Sequence, residues 1–230
     1  MCACAVDRGV TERAGTDEAG KGPALGPMVA AAVRAPPGAL PDDVDDSKRL
    51  PAERRKRLAG RLREDDRVAV ATAVVEPSRI DDPETDMNSL TVAAHVEALE
   101  AVLSRDGAVE VLLDAADVDP ERFARRVGTA VGGVDRPSRS VRAEHGADET
   151  DAVVGAASVV AKVERDRRVA AIDAAHDRPV GSGYPSDPTT RAFLRAYVRE
   201  HGELPAAARE SWSTCRDALA AVEQSGLDEF

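Results

Sequence analysis

GTDEAGKGPALGPMV, residues 15–29, decides the reading of this chain. Asp17 and Glu18 are adjacent acids in a stretch otherwise built of small and apolar residues, and Gly20, Gly22 and Gly26 punctuate the segment after them. In a regular strand neighbours point to opposite faces, so the two carboxylates serve one site only where a strand ends or distorts. The glycines permit that, and Gly20-Lys21-Gly22 lets backbone approach a ligand with no Cβ in the way. The plain alternative is a glycine turn beside two solvated acids. Gly20-Lys21 leads into Gly22-Pro23 rather than Ser or Thr, which argues against a nucleotide-binding P-loop.

Working outward, strands and helices interleave. PMVAAAVRA (27–35) is expected to be a strand, followed by a Pro- and Gly-broken loop with the acidic run DDVDD. Pro51 opens an exposed helix over 51–65, and VAVATAVVE (68–76) is predicted as a buried strand. Residues 89–105 place Leu90, Ala94, Leu99 and Leu103 close to helical spacing. VEVLLDA (109–115) reads as a buried strand whose C-terminal end opens onto a site. A helix from Pro120, a short strand near 138–144, a long helix over about 149–175 and two C-terminal helices complete the pattern, making the chain α/β with a helical C-terminal part. Residues 1–13 are expected to form a flexible N-terminal extension.

Two further acids stand out. Asp114 closes the apolar run VEVLL, where a carboxylate is costly to bury unless it binds a metal or finds donors. Asp148 precedes the long helix and is its N-cap, a first-turn acid that favours the helix dipole, or part of a site. With Asp17 and Glu18 they make four oxygen donors from separate segments, a set that suits Mg²⁺ or Mn²⁺ and phosphoryl-transfer chemistry assisted by two metals.

Composition bounds the rest. The 230 residues suit one domain, or one domain with a helical extension, and no uninterrupted apolar run approaches the roughly 18 residues of a membrane span. With no signal peptide and an odd three cysteines, the chain is expected to be soluble and cytoplasmic. The net charge of −11 hides an imbalance: 27 Arg stand against only four Lys, over a core of small side chains. Such a surface points to a very salty cytoplasm. At about 1 M salt the Debye length is only about 3 Å, so the net charge does not forbid an anionic ligand.

GTDEAGKGPALGPMV, DSKRL (46–50), VLLDAADV (111–118), AEHGADETDAVVGAASVVAKVERD (143–166), GSGYPSDP (181–188) and ESWST (210–214) together resemble ribonuclease HII in its archaeal form, here of a halophilic kind. The resemblance spans nearly the whole chain from about residue 14. It implies an RNase H-like fold, a mixed five-stranded sheet flanked by helices, with a catalytic domain over 14–176 and a helical region over 177–230 completing the substrate groove. It implies an endonuclease that cuts the RNA strand of RNA-DNA hybrids and nicks 5′ of single ribonucleotides in duplex DNA, leaving 5′-phosphate and 3′-hydroxyl ends. Asp17, Glu18, Asp114 and Asp148 fall on the family's four catalytic, metal-holding carboxylates. Gly20, Lys21 and Gly22 fall on its glycine-basic-glycine element, whose backbone reads the 2′-hydroxyl.

By the same resemblance Tyr184 matches the aromatic sensor of the RNA-to-DNA step, and Lys48 and Lys162 match phosphate-contacting positions; as residues alone, both lysines also suit a solvated surface. Asn88 and Ser158 stand where they would help position a duplex. Partners implied are hybrid and ribonucleotide-containing duplexes, with no membrane; a monomer is expected, and SGLDEF at the C-terminus is a remote candidate for a sliding-clamp contact. His95, His176 and His201 are assigned to surface or packing, and Trp212 to anchoring the C-terminal helices. VTERAGT, with Thr16 where the family carries an apolar residue, is more polar than a buried first strand should be.

Two rivals fit the residues less well. Ribonuclease HIII carries an extra N-terminal substrate-binding domain, and about 13 residues before the first motif are too few for one. A hybrid-binding module without catalysis gains nothing from four acids placed where a phosphate must sit.

Overall fold

A computed structural model describes residues 12–44, 50–103, 109–132 and 139–227. Five strands, β1 (Glu12–Ala19), β2 (Met28–Ala35), β3 (Ala69–Val75), β4 (Val109–Asp114) and β5 (Arg139–Glu144), form one mixed sheet in the order β3-β2-β1-β4-β5. β1 pairs antiparallel with β2 and parallel with β4; β2–β3 is antiparallel and β4–β5 parallel. The helices are α1 (Ala52–Glu64), α2 (Pro77–Ile80), α3 (Met87–Val102), α4 (Pro120–Gly132), α5 (Ala152–Ala174), α6 (Pro188–His201) and α7 (Ser213–Leu227). This is the RNase H-like mixed sheet flanked by helices that the motifs imply.

The alternation of β2 explains both layers. Met28, Ala30 and Ala32 face a core shared with α3 and α4, whereas Ala31, Val33 and Ala35 face one shared with α1 and α5. Alanine is a poor strand former, but here small side chains let helices approach both faces of the sheet. β1 takes this furthest. A Cβ on Gly15 would lie 2.6 Å from the backbone nitrogen of Val154, so α5 sits directly on the strand backbone. A third core, under α6 and α7, joins Phe193, Leu194 and Val198 to Ala24 and Leu25 from the segment after β1.

Several expectations need adjusting. β1 begins at Glu12, so residues 12 and 13, assigned to the flexible extension, are strand. β3, expected to be buried, is an edge strand and mostly half-buried. Its β-branched residues cover one face of the sheet without a neighbour on the outer side. The polar first strand has its own explanation: Arg13 pairs with Asp151, Glu12 accepts from Arg34 at 3.0 Å, and Thr16 lies 2.7 Å from a ring nitrogen of His95.

Candidate active site

The site forms where β1 and β4 run out. Their parallel ladder ends at the pair Thr16 and Leu113, and the next residues along the two strands are Asp17 and Asp114. Alternation divides β1: Gly15 and Asp17 face α5, while Ala14, Thr16 and Glu18 face α3. Asp114 shares the parity of Leu112, which packs on Ala147 and Val154, and accepts a 2.8 Å bond from the backbone N–H of Ala147. Asp148 lies in the adjoining 3-10 turn, Ala147–Glu149, and is buried. It is not the helix cap. That role belongs to Asp151, whose carboxylate accepts from the N–H groups of Val153 and Val154.

Asp17 is 7% exposed and its carboxyl is pushed up to about 8. Burial is the largest cause, followed by the neighbouring Glu18 charge; a hydrogen bond from Ser158 opposes them, and Asp114 and Asp148 add further repulsion. Glu18, Asp114 and Asp148 therefore all lie within electrostatic reach of Asp17. Among the described residues no three His, Cys, Asp or Glu side chains already form a tight metal cage. The donors nonetheless fit a hard divalent cation in kind, being all carboxylate and drawn from three segments, with repulsion at Asp17 that bound positive charge would relieve.

Beside the acids lies the glycine loop. Gly20 adopts φ 87°, and a Cβ there would lie 2.7 Å from the carbonyl oxygen of Pro27, so the turn requires glycine. Gly22 has open space where a Cβ would stand, leaving its backbone accessible to a ligand. Lys21 reaches across to donate to the carbonyl of Ala116 at 2.5 Å, tying the loop to the segment after β4. Trp212, assigned to anchoring helices, also donates from Nε1 to the Gly22 carbonyl at 3.1 Å.

Tyr184 lies in a turn clasped by Asp187, which accepts from the N–H and hydroxyl of Ser182, and it is 39% exposed. The carbonyl of Gly183 accepts from the N–H groups of Ala24 and Leu25, so the tyrosine turn and the glycine loop are joined. Lys162 is 46% exposed one helical turn beyond Ser158 and stands 3.6 Å from Asp166. Lys48 lies outside the described residues.

Three residues that pattern did not single out hold these parts together. Arg209, fully buried, donates to the carbonyls of Gly26 (3.0 Å), Lys21 (2.9 Å) and Gly20 (2.6 Å). Arg165, also buried, donates to the carbonyl of Ser182 at 2.6 Å and sets its guanidinium 5.0 Å from the centre of the Tyr184 ring. His95, on α3, is fully buried with one nitrogen 2.7 Å from Thr16 Oγ1 and the other 3.0 Å from Glu18 Oε2. Two arginines among 27 carry no spacing signal, and a single histidine whose partners lie about 80 residues away carries none either.

A sequence model of the ribonuclease HII family matches residues 14–215. This chain belongs to the ribonuclease HII family. It is 59% identical over 218 residues to the ribonuclease HII of the halophilic archaeon Halobacterium salinarum, covering 95% of this chain and 99% of that protein. The crystal structure of ribonuclease H2 from Pyrococcus horikoshii superposes with a TM-score of 0.82 at 33% identity, covering 93% of this chain and all of that one. A ribonuclease HII from Archaeoglobus fulgidus, solved in complex with PCNA, gives a TM-score of 0.74 at 32% identity, covering 87% and 95%. The chain is thus a metal-dependent endoribonuclease of the ribonuclease H class. Among the described residues no helix is long and apolar enough to cross a membrane.

Proposed function

We propose that the enzyme cuts the RNA strand of RNA-DNA hybrids and nicks duplex DNA 5′ of single ribonucleotides, leaving 5′-phosphate and 3′-hydroxyl ends. The observation that carries this reading is the buried Asp17, pressed by Glu18, Asp114 and Asp148 beside a glycine loop with open backbone at Gly22. A pure binding surface gains nothing from such a concentration of negative charge at the place a phosphate must occupy. Asp17, Glu18, Asp114 and Asp148 would hold two Mn²⁺ or Mg²⁺ ions, which lower the pKa of an attacking water and stabilise the leaving 3′-oxygen.

The chain's own groups do the rest. The Gly20-Lys21-Gly22 backbone, braced from behind by Arg209, reads the 2′-hydroxyl that separates RNA from DNA. Tyr184, backed by Arg165, packs against the deoxyribose that follows a ribonucleotide, where an extra hydroxyl fits poorly. Lys48 and Lys162 contact phosphates.

In this reading residues 14–176 form the catalytic domain and 177–230 complete the groove, supported by the bonds from Arg209 and Trp212 to the glycine loop. The enzyme acts as a monomer in the cytoplasm on primers and misincorporated ribonucleotides. A sliding-clamp contact is supported only by the Archaeoglobus relative's complex with PCNA.

The test is cleavage of an end-labelled duplex carrying one ribonucleotide, with Mn²⁺ or Mg²⁺, from dilute to molar KCl. A nick 5′ of the ribonucleotide that persists at high salt is expected, lost in D114N while binding remains. Unchanged cleavage in both D17N and D114N refutes the assignment of the acids.

A further inference from the structure

Glu18 differs from the other three acids in its position on the sheet. Asp17 and Asp114 lie on the face covered by α5, and Asp148 stands in the turn before that helix. Glu18 leaves β1 on the opposite face, toward α3, and cannot rely on the groups that fix the others. What meets it there is His95.

The imidazole is held on every side. Its α3 neighbours one turn away, Thr91 and Leu99, are fully buried, and Phe123 of α4 meets the ring edge-on at 5.1 Å and 84°. Its two nitrogens reach two residues of the same face of the same strand, Thr16 and Glu18. An ionised carboxylate has only acceptors, so Nε2 carries a proton toward Glu18 Oε2. In the neutral ring, Nδ1 then accepts from the Thr16 hydroxyl, and the order of donors runs from Thr16 through His95 to Glu18. Glu18 keeps its second oxygen, Oε1, for another partner.

We infer that His95 is the positioning residue for Glu18, with Thr16 fixing the imidazole, so that Oε1 is presented to a divalent cation in one orientation. The inference rests on the reading of Glu18 as a metal ligand. It also gives the polar Thr16 a task, since an apolar side chain there would leave His95 Nδ1 buried without a partner. Outer hydrogen bonds of this kind are typically worth ten- to a hundredfold in metal affinity or activity.

The experiment measures Mn²⁺ binding to the whole protein without nucleic acid, from the EPR signal of free Mn²⁺ in molar KCl, with thermal unfolding in EDTA as the check on folding. H95L and E18Q should each weaken Mn²⁺ binding about ten- to a hundredfold, and H95Q, which restores an N–H donor, should recover most of the loss. T16V should fall between wild type and H95L. In cleavage assays H95L should lower kcat and leave KM for the duplex unchanged.

A folded H95L that binds Mn²⁺ within about twofold of wild type, while E18Q does not, overturns the role of His95 alone. Normal Mn²⁺ binding by E18Q removes Glu18 from the ligand set and this inference with it. Should H95L fail to fold, T16V decides: unchanged Mn²⁺ affinity and kcat in that variant overturn the inference.

Discussion

Asp17→Asn should make the metal-free protein more stable while destroying its activity. The carboxyl of Asp17 moves from 3.8 to about 8 on folding, chiefly through burial and then through the Glu18 charge. The folded state therefore retains a proton that the unfolded chain releases, and stability falls as pH rises from about 4 to about 8. At about 1.4 kcal/mol per factor of ten, the penalty at pH 7 has a ceiling of about 4 kcal/mol; relaxation and entry of water reduce it to about 1–3 kcal/mol.

Asparagine keeps an oxygen that can accept from the Glu18 N–H, a bond of 2.7 Å in the wild type, but carries no charge to bury. Urea unfolding in EDTA and molar KCl, between about pH 5 and pH 9, measures the effect. The wild type should lose stability up to about pH 8, with D17N showing a flatter profile and an advantage that grows to about pH 8 and levels off above it. With Mn²⁺ present the order should shrink or reverse, because the cation rewards the carboxylate. Identical pH profiles for the two proteins in EDTA would refute the placement of Asp17 as a buried, repelled acid.

Gly15→Ala forces a Cβ to within 2.6 Å of the α5 backbone, so the helix must shift; a loss of about 1–3 kcal/mol in urea unfolding is expected, with reduced cleavage because α5 also carries Ser158. Arg209→Lys retains charge but cannot reproduce the three bonds to Gly20, Lys21 and Gly26; it should cost about 2–4 kcal/mol in the same assay and raise KM for ribonucleotide-containing duplex. Tyr184→Ala should harm nicking at a single ribonucleotide more than cutting of a long hybrid. Equal losses on the two substrates would remove the tyrosine from junction sensing.

Asp17, Glu18, Asp114 and the glycine loop were legible as candidates because each sits in a context where it is out of place: Asp114 at the end of an apolar run, Asp17 and Glu18 among small residues before closely spaced glycines. The sheet was legible from the same runs, but not which strands lie at its edge. VAVATAVVE has the composition of a central strand, and only its pairing with β2 alone leaves it half-buried. The supports of the site were hidden for a different reason. Thr16 looks like a flaw in an apolar strand until His95 is beside it, and His95 looks like packing until Glu18 is. Asp148 and Asp151 are both plausible caps by position; the backbone geometry assigns that task to Asp151 and leaves Asp148 for the cluster.

The seating of α5 on Gly15 has a consequence for how this protein can vary. The same rigid rod steadies Asp17 through Ser158 and, two turns on, the Tyr184 turn through Arg165. Each residue of a helix advances the azimuth by about 100°, so a single insertion between 158 and 165 would swing the contacts of Ser158 with Asp17 and of Arg165 with the Tyr184 turn out of phase, with Gly15 denying the helix room to compensate. Over this span the length of the helix is fixed.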